Sequence, residues 1–185
     1  MRTKVLITLM MMLAVAACRG QPTSATSNIC KLEVQNLLID SSAFPPNWAA
    51  SKPERPADHH GAIRRCGLVF SVPNGVAVEE IYEYETIDEA SLEFERQLEV
   101  WFTERPIDTP WEVPPLTEPM SSIADDFRLA CSIQGKVSMC RALARYDVFV
   151  IRFNTHMSPE FMTYTDLERV LQAIDDKMKQ NQLKP

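Results

Sequence analysis

Phe127-Arg128-Leu129-Ala130-Cys131-Ser132-Ile133-Gln134-Gly135-Lys136-Val137-Ser138-Met139-Cys140-Arg141 reads as two strands around a tight turn. Phe127, Leu129, Cys131 and Ile133 recur at every second position, the period of a strand with two unlike faces. Gln134-Gly135-Lys136 carries the turn, and residues 137–145 return. A two-residue loop at Gly135-Lys136 places Cys131 opposite Cys140, within reach of a cross-strand disulfide. A three-residue loop would send the two to opposite faces. Residues 148–153 follow with apolar groups on both faces, Val148 and Val150 on one, Phe149, Ile151 and Phe153 on the other. That pattern predicts a central strand.

Upstream lies a second hairpin. Leu68, Val69, Phe70 and Val72 form its first strand, Pro73-Asn74-Gly75 its turn, and residues 76–84 its return. On the return strand Val76, Val78, Glu80, Tyr82 and Tyr84 read as the half-buried face. Ala77, Glu79, Ile81, Glu83 and Glu85 read as the wet one. Thr86-Ile87-Asp88-Glu89 matches a capping box. Ile87, Ala90, Phe94, Leu98, Trp101 and Phe102 then share one helical face, which predicts a helix over 87–103. Ile29, Leu32, Val34, Leu37 and Leu38 predict a short first helix within 29–39. Thr165-Asp166-Leu167-Glu168 reads as another capping box, opening a last helix with Leu167, Val170, Leu171, Ile174 and Met178 on one side.

Two proline-rich stretches separate these elements. Pro45, Pro46, Pro53 and Pro56 surround Trp48. Pro106, Pro110, Pro114, Pro115 and Pro119 surround Trp111. Proline fixes φ and lacks an amide donor, so neither stretch can be helix or inner strand. The order α-ββ-α-βββ-α predicts an α+β fold: an antiparallel sheet of about five strands with helices packed on one face.

The start of the chain differs in kind. Arg2 and Lys4 precede an uncharged, mostly apolar run from 5 to 17, too short to span a bilayer, which takes about 20 residues. This is the layout of an export signal. Val15-Ala16-Ala17-Cys18 closes the run and resembles the lipobox of bacterial lipoproteins: an aliphatic residue, two small residues, then Cys. The resemblance implies that residues 1–17 are removed and that Cys18 carries the lipid, a thioether-linked diacylglycerol plus an amide-linked acyl group such as palmitate. Arg19 in place of Asp resembles the pattern of lipoproteins at the outer membrane or cell surface. Polar residues then make 18–28 a tether, on the order of 17 Å long as a coil. Residues 29–182 form one domain.

Cysteine parity points the same way. Of five Cys, assigning Cys18 to lipid leaves Cys30, Cys66, Cys131 and Cys140. Four cysteines allow three pairings; the hairpin favours Cys131–Cys140, which leaves Cys30–Cys66. Their spacing is that of neither a redox pair nor a zinc motif. Loss of the signal takes two cations with it and moves the formal charge from −6 to −8, which argues against nucleic-acid binding. The acidic balance also argues that lipid, not charge, holds the protein at the membrane.

No phosphate-cradling glycine loop or nucleophile elbow is present, and no cofactor or metal site is expected. His59, His60 and His156 read as solvated. Glu79, Glu83, Glu85, Asp125 and Asp126 could serve a carboxylate-based hydrolase if a cleft gathered two of them. The rigid loops bearing Trp48 and Trp111 are the candidate recognition elements, the alternative being that each Trp folds inward to cap the core. The arrangement Leu37-Leu38 … Phe44-Pro45-Pro46-Asn47-Trp48 ahead of a small sheet, with two disulfides, resembles the extracytoplasmic sensor-like domains attached to some bacterial receptor kinases. That resemblance implies no functional residue. The reading is a non-enzymatic binding or sensor-like module of the envelope, anchored through Cys18 and facing a protein or small-molecule ligand. A hydrolase and a purely structural envelope protein are the alternatives.

Overall fold

A computed structural model describes residues 30–57, 60–103, 109–115 and 121–182. The expected signal, Cys18, the tether and His59 lie outside them. The elements are α1 (Leu32–Gln35), β1 (Ala49–Ala50), β2 (Arg64–Val72), β3 (Gly75–Glu83), α2 (Ile87–Trp101), β4 (Asp126–Gln134), β5 (Val137–Tyr146), β6 (Phe149–Met157) and α3 (Tyr164–Gln182). The strands form one antiparallel sheet in the order β1-β2-β3-β6-β5-β4.

The α+β class and the two hairpins hold. Gly135, at φ +63°, and Lys136 make the two-residue loop between β4 and β5. Cys131 therefore stands opposite Cys140, and the two are bridged. Cys30 is bridged to Cys66. The β2–β3 loop is Pro73-Asn74, with Asn74 taking the positive φ of 68°. Gly75 is needed for a different reason: a Cβ there would lie 2.8 Å from the Phe161 ring. β6 is central, between β3 and β5.

Four expectations are corrected. The sheet has six strands, not about five. The extra one, β1, comes from the first proline-rich stretch and lies on the edge, where a strand needs only half of its amide donors. The helices do not share one face. Register puts Ile81, Ile151, Ala142 and Leu129 on one side under Leu167, Val170, Leu171 and Ile174 of α3, while Tyr82, Val150 and Leu143 lie on the other with Ala90, Phe94 and Trp101 of α2. A sheet with apolar residues on both faces exposes apolar area unless both are covered.

The face of β3 read as wet is the inner one: Ala77, Glu79, Ile81 and Glu83 are buried, and only Glu85 is exposed. Finally, α1 is four residues long. Its continuation tightens into Leu37 N–H to Val34 O and Leu38 N–H to Gln35 O contacts, and the Ile39 N–H goes to the Glu79 carboxylate. That diverted donor cannot extend a helix.

The two long helices start where side chains can cap them. Thr86 Oγ1 accepts the Glu89 N–H, and Glu89 accepts the Glu85 N–H, the reciprocal box expected. α3 starts earlier than its expected box. Thr163 Oγ1 accepts the Asp166 N–H, and the Asp166 carboxylate accepts from the Thr163 N–H and hydroxyl.

Candidate functional site

The two faces of the sheet differ in chemistry. The α3 face holds the larger apolar core, with Phe44, Phe70, Phe153 and both disulfides. The α2 face is polar where α2 stops. One row across it reads Gly67, Glu80, Arg152, Leu143, Arg128, and the next Val69, Val78, Asn154, Arg141, Ala130.

Arginine and aromatic rings stack over those rows. The indole of Trp101, at the end of α2, has the Arg152 guanidinium 4.6 Å from its centroid and that of Arg141 at 5.4 Å. Arg141 also lies 4.8 Å from the Trp111 ring and donates to the Trp101 carbonyl. Trp111 meets the edge of Phe102, centroids 5.8 Å apart, and Arg128 lies 5.9 Å from Phe102. A guanidinium over an indole face gains about 0.5–2 kcal/mol, so the ladder fixes three cations in an acidic chain. Its inner end is tied down: Arg152 pairs with Glu80 at 3.6 Å and contacts His60 at 3.3 Å, while Arg96 contacts His60 and chelates Glu93. His60 is thus part of a network, not a solvated loop residue.

Beside the ladder runs a groove of about 340 Å³ between the 51–57 segment and the β2–β3 surface. Val69 and Val78 are its floor, Lys52, Glu54 and Arg55 its wall, and Glu80 its inner end. The wall is held by the Ser51 N–H to Val69 O bond and by a reciprocal backbone pair between Glu54 and Gly67. Gly67 lets the two approach closely, since a Cβ there would lie 3.3 Å from Pro56 Cγ and the ring would have to give way slightly.

The sequence-derived candidates divide. Trp48 is only 6% exposed. Its ring packs 5.0 Å from Phe44, and Nε1 donates to the Phe161 carbonyl at 3.0 Å. It is therefore spent on the core and is corrected as a recognition residue; an indole with a local acceptor is cheaper to bury than to expose. Trp111 is half-buried in the ladder.

The carboxylates do not meet. Asp125 and Asp126 pair with Arg145, and Glu83 with Arg64. Glu79 is fully buried: Oε2 accepts the Ile39 N–H at 3.0 Å, and Oε1 has no partner among the described residues. Burial pushes its carboxyl up to about 8, against the opposing pull of the Ile39 amide and of the Lys177 charge. Asp175, also buried, accepts from Tyr146 Oη, Ser121 Oγ and the Ser122 N–H, so it fastens the 121–124 segment to α3. Sequence reading missed Arg141 and Arg152. Arg152 interrupts the apolar run 148–153 on the Val150 face, a signal that this face is not wholly core.

No protein-family model matches the chain, and no curated protein matches it by sequence. Among solved structures it is similar to the extracellular domain of PknH from Mycobacterium tuberculosis, with TM-score 0.56 and 13% identity, over 83% of this chain and 99% of that one. An uncharacterised protein from Mycobacterium smegmatis also matches, with TM-score 0.38 and 10% identity, over 79% of this chain and 95% of that one. At such identities the first likeness is one of fold: the α+β sheet described here has the architecture of that extracellular domain.

Proposed function

We propose that this chain is a lipid-anchored extracytoplasmic module that binds a ligand without transforming it, held at the envelope through Cys18. The observation that carries the binding role is the α2 face. A six-stranded sheet, partly covered along both edges, presents an Arg–Trp ladder beside an open groove walled by charged side chains. Preorganised cations and rings bind at low ordering cost. The two disulfides support an oxidising compartment, the Val15-Ala16-Ala17-Cys18 match supports the anchor, and the likeness to the extracellular domain of PknH supports display outside the membrane. A hydrolase would need two carboxylates around one cleft. Here Asp125 and Asp126 share Arg145, Glu83 pairs with Arg64 and Glu79 is sealed in the core, while of the two carboxylates on the groove, Glu54 and Glu80, the second is paired with Arg152.

Two measurements test the parts separately. Labelling of cells with a fatty-acid probe is expected to mark the wild type and not Cys18→Ala; equal labelling would remove the anchor. A photo-crosslinking residue placed at Ser51, on the groove, is expected to capture a discrete envelope ligand, while the same residue at Lys136, in the distant β4–β5 loop, captures none. Matching products at both sites would remove the groove.

A further inference from the structure

Where the chain enters the domain, four basic residues border one cleft, with Arg64 and Arg65, consecutive on β2, facing opposite sides of the sheet. Lys31, Arg55, Arg64 and Arg65 line one small polar cleft around Ile63. Lys31 follows the bridged Cys30, and Arg64 and Arg65 precede its partner Cys66, so the disulfide pins both strands of chain together. Arg65 is further held by its Nε–H bond to the Pro56 carbonyl at 2.8 Å. Glu83 offsets Arg64, and Glu33 lies near enough to act on it; Lys31, Arg55 and Arg65 have no such carboxylate among the described pairs. The cleft is flanked by apolar side chains in water: Ile63 is 56% exposed, and Leu32, next to Lys31, 65%. Cations beside exposed Ile and Leu suit the interface of an anionic bilayer, where apolar tips enter the headgroup layer and cations meet phosphates.

We infer that this surface, Lys31, Arg55, Arg64 and Arg65 around Ile63, docks on the anionic phospholipid headgroups of the membrane that holds the anchor. The inference rests on the Cys18 anchor proposed above, because that anchor brings the surface to the bilayer. Even fully extended, the stretch from Cys18 to Cys30 reaches only about 40 Å, and it ends beside Lys31. The acidic balance of the whole chain does not oppose this, since charges beyond about 8–10 Å are screened at physiological salt. Local charge then decides the contact, and the docked surface would set how the α2 face is held above the membrane.

The test removes the lipid from consideration. The mature chain with Cys18→Ser, which keeps every element of the fold, is mixed with vesicles of phosphatidylcholine alone or with about 30% phosphatidylglycerol, and partition is read by sedimentation. Partition onto the anionic vesicles only is expected, with loss at about 0.5 M salt. Each cation near an anionic surface contributes about fivefold, so Lys31→Gln with Arg55→Gln lowers partition about 25-fold. Ile63→Ser lowers it several-fold, and Lys136→Gln, at the far hairpin, leaves it unchanged. Equal partition onto both vesicle types overturns the inference, as does indifference to the double variant. Saturable binding of inorganic phosphate at these residues without vesicle partition would make the cleft a site for a free anion and overturn it too. The fatty-acid label on Cys18 is read independently, so failure of the anchor and failure of the docking surface are told apart.

Discussion

The two proline-rich stretches have similar composition and opposite fates. Each lies along one edge of the sheet. Ala49, Ala50 and Glu54 pair with β2, and Glu112 pairs with Cys131 of β4 through two backbone bonds. The Ser132 hydroxyl donates to the Thr109 carbonyl, and Thr109 Oγ1 accepts the Ile133 N–H. Proline suits both, because an edge strand turns only alternate amides toward its neighbour, and the described part of each covers a portion of an edge where another chain could add. The tryptophans then part. Trp48 turns to the α3 face and is sealed against Phe44 and Phe161. Trp111 turns to the α2 face and rests on Arg141. Its indole nitrogen is buried without a hydrogen-bond partner among the described residues. The same motif closes the core at one edge and builds a cationic surface at the other. What decides is the face that the neighbouring strand presents.

The largest test of that contrast is deletion of the rings. Trp48→Ala is expected to cost about 3–5 kcal/mol in a chemical melt, as for other buried aromatics. A loss below about 1 kcal/mol would mean that Trp48 does not close the core.

Next come the bridges beside each edge. Removing either should cost about 2–4 kcal/mol. Cys30→Ser with Cys66→Ser should cost about 1 kcal/mol more than Cys131→Ser with Cys140→Ser, because the first pair spans 36 residues and the second 9. On the mature chain beginning after Cys18, alkylation of unreduced, denatured protein should mark no cysteine, and alkylation after reduction all four. Thiols open to alkylation before reduction would refute the bridges.

The first stretch is entered through Ile39, held by Glu79, which gives it a pH dependence. Glu79 is pushed up to about 8 in the folded protein from an ordinary value of 4.5. The folded state therefore binds the proton more tightly than the unfolded one. The stabilisation is complete below pH 4.5 and is lost as pH rises through about 8. Glu79→Gln, which stays neutral, should be more stable than wild type at pH 7.5 by about 1–3 kcal/mol, and the gap should close toward pH 4.5. A difference that stays flat from pH 5 to 8 would contradict the assignment.

The smallest effect belongs to the outer ring. Trp111→Ala should cost about 1 kcal/mol or less, and a double-mutant cycle with Arg141→Gln should show coupling of about 0.5–1 kcal/mol. A cost equal to that of Trp48 would erase the distinction between the two stretches.

Local patterns read well from sequence. Alternation located the β4–β5 hairpin and Gly135 marked its turn; the pairing of Gln134 with Val137 then set the loop at two residues and Cys131 against Cys140. The Thr86–Glu89 box started α2 where expected. The reading failed where a residue's meaning depended on a distant partner. Glu79 and Glu83 were taken as wet because carboxylates prefer water, yet Ile39 and Arg64 come from elsewhere in the chain to meet them. The expected α1 was too long because the chain tightens at Leu37 and Leu38 and the Ile39 donor then goes to that same Glu79.

By itself, then, the sequence determined the α+β class, the hairpins and the long helices, and it favoured the cysteine pairing across the β4–β5 turn. These follow from periodicity and turn chemistry within a few residues. Only the tertiary structure decided which face each helix covers, that both proline-rich stretches run against edges, that Trp48 is sealed while Trp111 joins the ladder, and that Lys31 and Arg55 line one cleft with Arg64 and Arg65. Those outcomes turn on contacts between residues far apart in the chain. A side chain's hydrophobicity says whether it prefers burial, but not which neighbour will bury it.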